Sequence, residues 1–362
     1  MEGAVMINIY NKSYETGELR KRVGNLYQIG GTRHYELTEG NSRGTRAIDV
    51  NTGAGLCFTV LPDRGMDISL ASYKGVNLVY QTPNGEVNPS FYNPAGVEWL
   101  KVFFAGLLTT CGLTYLGPPG EDNGVKLGLH GRHTAIPAKK VCDMSLMDEN
   151  GYNIHLTGVI EDSTLFGEKI IMKRTIRSRI ASKSLTIHDE VENYGASPSP
   201  FTILYHINFG FPLLDECSKI LVKSEKVEPY DEVSRSGMDR LNSFEAPSAN
   251  YREQNFLYYM KADNSGYAYA AVINKELMGG IGVYIKFKAD TLPYLSEWKM
   301  AGEIDYVLAL EPCNTKCENR KVLREKGLLP ILNPHEKREM EVEIGVIEGE
   351  NEISKSESKL MV

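Results

Sequence analysis

Two stretches of this chain set a proton-exchanging side chain among apolar residues. In "LYHINFGFP" (Leu204–Pro212), His206 sits in a run of aromatic and aliphatic residues. In a strand, residues two apart share a face, so His206 faces the same way as Leu204 and Asn208. An imidazole and an amide on an apolar strand need hydrogen-bond partners. Either they are satisfied within a core, or they form the floor of a site on a rigid element. In "VLALEPCN" (Val307–Asn314), four apolar residues lead into Glu311 and then Pro312. The proline biases Glu311 to an extended conformation, which predicts a carboxylate at a strand end where the chain turns. It is either a surface group or the lining of a pocket that opens to water.

A third stretch, "KLGLHGRHTAIPA" (Lys126–Ala138), holds two histidines. Glycines flank His130, allowing a tight turn and close approach of a ligand. A spacing of three places His130 and His133 together on a helix but on opposite faces of a strand. Gly128, Gly131 and Pro137 disfavour the helix, so the two are not expected to clamp one ion. A zinc site wants about three or four ligands; only His130, His206 and Glu311 could be assembled, and no spacing supports it. No metal and no cofactor are expected. His34, His155, His188 and His335 read as surface residues.

Two further motifs carry groups suited to a polyol. In "LPDRGMDI", Arg64 follows an apolar run, with Asp63 and Gly65 beside it and Asp67 three residues on. A guanidinium offers a planar fork to carboxylates or sugar hydroxyls; the other reading is a turn with a local Arg–Asp pair. In "LPYLSEWKM", Glu297 adjoins Trp298, one of two tryptophans. An indole could stack on a sugar while the carboxylate accepts from its hydroxyls; the other reading packs Trp298 in the core.

The elements that must position these groups are strands. "LTIHDEVEN" alternates Leu185, Ile187, Asp189 and Val191 against Thr186, His188, Glu190 and Glu192; "REMEVEIGV" alternates Met340, Val342, Ile344 and Val346 against glutamates. Such period-two patterns mark strands with one face on a core. "NIHLTGVI", "KIIMKRTIRSRI", "FTILYHINFGF", "YAYAAVIN" and "GGIGVYIKF" favour strand by β-branched and aromatic content, and turn signals separate them. Helical signals are few: "AGVEWLKVFFAG", and "TKCENRKVLREKG" ending at Gly327. Strands without intervening helices argue against a parallel α/β sheet and predict an all-β antiparallel sandwich. The expected organisation is an N-terminal extension (1–30), one β-sandwich domain (31–348) and a flexible charged tail (349–362).

The 362 residues carry a net charge of −7, which disfavours generic nucleic-acid binding. Six scattered cysteines read as reduced thiols. The N-terminal stretch resembles neither a signal peptide nor a membrane span, so a cytoplasmic protein is expected. A homodimer is compatible with the sequence.

Taken in order, these fragments resemble the aldose 1-epimerase (galactose mutarotase) superfamily. "LHGR" is similar to its Leu-His-Gly-Gly motif, "YHINFGFPLL" to its second histidine motif, and "LALEP" to its glutamate-bearing strand. "LPDRGMDI", "GLLTTCGL", "LHGRHTAIPA", "LPYLSEWKM" and "LEPCN…ENR…LREKGLLPILNPHE" resemble a branch catalogued as a domain of unknown function. The resemblance spans roughly Asp49 to Val346. It implies a galactose-mutarotase-like supersandwich of large antiparallel sheets with a sugar cleft on a concave face. It also implies His206 as general acid, Glu311 as general base and His130 as a second active-site histidine. There are departures: Arg132 replaces the motif's second glycine, the family's upstream Asn-Arg is missing, and no aspartate matches its hydroxyl-gripping one. Arg64, Arg132, Asn208, Glu297 and Trp298 are therefore the expected binding residues. The resulting expectation is a carbohydrate-binding aldose 1-epimerase-like isomerase. A non-catalytic sugar-binding protein and a metal-dependent sugar isomerase are the alternatives.

Overall fold

The computed structural model describes residues 6–10, 12–148 and 151–360. Three antiparallel sheets organise it. A nine-stranded sheet runs in the order Lys139–Asp143, Gly151–Ser163, Lys169–Arg179, Ser184–Asn193, Lys337–Glu348, Ile281–Lys288, Tyr267–Asn274 and Ser218–Val222, with Leu146–Asp148 also paired to Gly151–Ser163. A six-stranded sheet runs Ser224–Pro229, Gln254–Met260, Tyr294–Ala301, Tyr306–Cys313, Thr202–Phe209 and Thr109–Leu113. A five-stranded sheet spans Gly31–Asn77 and meets the six-stranded one through an isolated bridge between Ile68 and Leu108.

The period-two reading holds where one face is wet. Along Ser184–Asn193 the buried residues are Leu185, Ile187, Asp189, Val191 and Asn193, and the others keep surface exposure. The Thr202–Phe209 strand is different, because all eight residues are buried. Ile203, Tyr205, Ile207 and Phe209 face the main core, together with Ile187, Ile285 and Val342 of the large sheet. Leu204 faces the other way, into a smaller cluster with Trp99, Phe103, Cys111, Val307 and Cys313. The six-stranded sheet thus has one face on the core and one beneath a covering of loops, and the candidate site lies under those loops.

A buried ionic network joins the three sheets. Arg174 binds Asp189 through both Nε and Nη2, at 2.9 and 2.7 Å, and Asp67 through Nη1 at 2.9 Å. Tyr205 donates to Asp189, and Thr110 donates to Asp67 from both its amide and its hydroxyl. Arg174, Asp67 and Asp189 are all fully buried. Burial pushes the Asp67 carboxyl up, against the opposing pull of Arg174. A buried guanidinium tolerates its desolvation only with its donors paired. Asp189 was visible as the one charged residue on an apolar face, but its partner was not.

Two expectations are corrected here. The charged tail is not a disordered strand of chain: Gly349–Leu360 is an α-helix that buries Ile353 and Leu360 against Leu221, Ala271, Ile273 and Ile347. Its acidic first turn (Glu350, Glu352) suits the helix N-terminus, and Lys183 pairs with Glu352. The apolar pair is too sparse to signal packing in so charged a segment, although it anchors the helix. Residues 361–362 lie outside the described residues. Second, "GVEWLKVFF" forms only a short 3₁₀ turn, Glu98–Lys101. The other helical expectation becomes Arg320–Glu325, followed by Gly327 at φ +68°.

Candidate active site

The register of two central strands brings the acid–base pair together. Leu204 pairs with Cys313 and Ile207 with Leu310, a register that sets His206 opposite Glu311. Both side chains point to the loop-covered face. His206 Nε2 lies 3.0 Å from Glu311 Oε1, and each side chain keeps 6% of its surface exposed. The strand continues through Pro312 to Cys313, so Glu311 lies within it and not at the expected strand end. Proline cannot donate to the ladder, and the pairing with the neighbouring strand lapses here, between the Leu204–Cys313 and Ile207–Leu310 pairs.

The neighbouring strand follows the same parity. Ser296 pairs with Glu311 and Trp298 with Ala309, and both face the cleft. The Trp298 indole N–H donates to Glu253 at 2.8 Å, and its ring lies 5.6 Å from that of His206, edge on. Asn255, opposite Trp298, extends the floor.

Loops build the wall. Trp99 and Phe103 stack at 4.5 Å, and Phe103 lies 5.1 Å from the His206 ring. His130 meets Trp99 at 4.8 Å and stands 6.2 Å from His206 with the two rings perpendicular. The His130 backbone is left-handed, at φ +57°. It is held by hydrogen bonds from its own N–H to Gly117 O and from the Gly112 N–H to its carbonyl. Gly131 has to be glycine: at φ +72° a Cβ would lie 2.4 Å from Tyr115 O. Val97, Leu100, Pro118, Pro119 and Leu129 complete a cleft of about 480 Å³.

The two cleft histidines differ electrostatically. Dense surroundings and the neighbouring His206 hold His130 down to about 3, so it is a neutral imidazole at physiological pH. It can exchange hydrogen bonds but cannot act as a standing acid. Cys317 also lines the cleft, and burial beside Glu311 pushes its thiol up to about 12; it is a protonated wall group and not a nucleophile. Among the described residues, no group of three or more His, Cys, Asp or Glu is disposed to hold a metal ion.

Four expected binding residues lie elsewhere. Arg64 is fully buried and spends its guanidinium on three main-chain carbonyls: Thr134 and Val87, each at 2.6 Å, and Val102 at 2.9 Å. It pairs with no aspartate and presents nothing to a ligand; it fastens the loops that carry the wall. Arg132 turns away to Asp162, at 2.6 Å, and to Ser163 O. Asn208 shares the His206 face but donates to Gly106 O and His206 O, fully buried. Glu297 lies on the opposite face from Trp298, as alternation requires. It accepts from Tyr258 at 2.7 Å within the core, and burial pushes it up to about 7. His133 is buried beneath Gly65 and does not line the cleft.

The cleft also contains residues that sequence reading missed: Trp99, Phe103, Tyr230, Glu253, Asn255, Ser296 and Cys317. Trp99 and Phe103 fall in the stretch "AGVEWLKVFFAG" that carries a helical signal. Ser296 could have been found by applying strand parity to Trp298.

The comparisons agree with this architecture. The model of a family described as a domain of unknown function (DUF4432) matches residues 42–346. A crystal structure of a "putative aldose 1-epimerase" from Klebsiella pneumoniae superposes with a TM-score of 0.87 at 23% identity, covering 99% of this chain and 95% of that one. A galactose mutarotase-like protein from Clostridium acetobutylicum gives a TM-score of 0.59 at 14% identity (89% and 100% covered). Galactose 1-epimerase from Lactobacillus acidophilus gives 0.56 at 12% (89% and 100%). No curated protein matches the chain by sequence. No described helix is long and apolar enough to cross a membrane. The fold is therefore that of the galactose mutarotase-like proteins, and the chain belongs to the DUF4432 family.

Proposed function

We propose that this protein interconverts the anomers of an aldose by general acid–base catalysis, with His206 as acid and Glu311 as base. The observation that carries the reading is the His206–Glu311 pair, 3.0 Å apart on adjacent strands and facing an aromatic cleft. Anomeric exchange requires one proton to leave the C1 hydroxyl and one to reach the ring oxygen. Both oxygens are bonded to C1, so two groups a hydrogen bond apart can address both. Glu311 takes the hydroxyl proton as His206 protonates O5, and the C1–O5 bond breaks to give the open-chain aldehyde. Rotation about C1–C2 presents the other carbonyl face. Glu311 returns its proton to the carbonyl oxygen, His206 recovers its own from the C5 hydroxyl, and the ring closes.

Neutral His130 is suited to hydrogen-bond the sugar near the same centre, and Trp298 offers a ring face for its C–H surface. Each proton transfer is worth about 10²–10⁴-fold. His206→Ala and Glu311→Gln should each lose activity on that scale while keeping the wild-type melting transition. Exchange NMR of anomeric protons is the assay. Near-wild-type exchange in both variants would rule out these roles. Sugar binding without any acceleration by the wild-type protein would leave a carbohydrate-binding protein.

A further inference from the structure

Resting on the proposed sugar chemistry, we infer that Ser296 determines specificity at C2: its hydroxyl bonds an equatorial 2-hydroxyl, as carried by gluco- and galacto-configured aldopyranoses. The inference starts from a row of side chains across three strands. Ser296 is paired directly with Glu311, and the register on the other side of Glu311 sets it opposite His206. All three residues line the cleft. The strands run in the order Tyr294–Ala301, Tyr306–Cys313 and Thr202–Phe209. Ser296 therefore stands one strand spacing, about 4.8 Å, beyond Glu311 on the side away from His206.

Burial and pairing single out this serine. It is 4% exposed, yet its hydroxyl bonds no group of the protein among the described residues. Buried hydroxyls are normally paired, so this one is left for a ligand. Its neighbours do not compete for the same place. Leu257, paired with it on the far side, is buried and apolar. Glu253 holds the Trp298 indole N–H. Asn255 is paired with Trp298 and lies one strand further out.

Connectivity brings the 2-hydroxyl to it. In the proposed reaction His206 meets O5 and Glu311 meets O1, and both oxygens are bonded to C1. An equatorial O2 is anti to O5 across the C1–C2 bond and gauche to O1 in both anomers. It lies beyond O1 on the side away from O5, as Ser296 lies beyond Glu311 on the side away from His206. It also keeps that place while the anomers exchange. An axial O2 is gauche to O5 and so falls on the His206 side. A hydrogen bond between two neutral hydroxyls is worth up to about tenfold in affinity.

The test is a double-mutant cycle in which one partner is the sugar. Glucose and galactose, their 2-deoxy analogues and their 2-epimers mannose and talose, in both enantiomeric series, are measured against the full wild-type chain and Ser296→Ala. The melting transition checks folding, and NMR reads both anomeric exchange and binding. Ser296→Ala should lower kcat/KM and affinity for the equatorial 2-hydroxy sugars by about tenfold and leave the 2-deoxy and 2-epimeric sugars unchanged. What His130, Trp298 and the reacting pair contribute is common to both proteins and cancels. A loss shared by the 2-deoxy or 2-epimeric sugars, or no loss on any sugar, overturns the inference even where exchange is catalysed. The same coupling in binding without exchange sustains the inference and defeats the catalytic reading. No binding by any sugar overturns both.

Discussion

Glu297 should make the protein lose stability as pH rises through neutrality. Its carboxyl is buried on the core face of the six-stranded sheet, with Tyr258 donating to one oxygen and no partner for the other. Burial moves it from an ordinary 4.5 up to about 7. The folded state therefore binds a proton more tightly than the unfolded chain. Below pH 4.5 both states are protonated and no cost arises. Between 4.5 and 7 the unfolded chain ionises first, and above 7 the folded state must ionise a buried group. The displacement corresponds to about 3 kcal/mol of stability lost across that window. Glu297→Gln mimics the neutral carboxyl in shape and keeps an acceptor for Tyr258, so it removes the titration. Urea unfolding followed by tryptophan fluorescence, run on both proteins at pH 4.5 and 8.5, measures the effect; the difference between them cancels every other group. The variant should match wild type at pH 4.5 and exceed it by about 3 kcal/mol at pH 8.5. A difference that does not change with pH, or a variant less stable at pH 8.5, would refute the argument.

Other outcomes follow from the same structure. Arg174→Met strands Asp67 and Asp189 without their cation and should cost about 3–5 kcal/mol in urea unfolding. Ile353→Asp should detach the C-terminal helix, exposing its amides to hydrogen exchange at a cost of about 2–3 kcal/mol, while leaving anomeric exchange unchanged. Trp298→Ala removes the stacking face and should weaken sugar binding by about tenfold or more in NMR titrations, with the melting transition little altered.

Arg64 and Glu297 show where reading residues in isolation misleads. Each was chosen as a polar side chain next to an apolar run, and each is a buried structural group. For Glu297 the correction was already within reach: adjacent residues of a strand point to opposite faces, so Trp298 in the cleft excludes Glu297 from it. For Arg64 it was not, because its acceptors come from Val87, Val102 and Thr134, which no local pattern connects to it.

Strand character, the antiparallel class and the parity of Leu185, Ile187, Asp189 and Val191 were determined locally, since side-chain alternation is a property of a single extended chain. The candidacy of His206, Glu311 and His130 was legible for a related reason, since polar groups amid apolar runs or between glycines stand out in one dimension. Tertiary structure decided that residues 206 and 311, 105 positions apart, lie opposite each other. It also decided that the outer sheet face is covered by aromatic loops, and that Arg174 finds Asp67. Pairing register and loop packing are set by the summed burial of many distant residues, and no short window of sequence contains that sum.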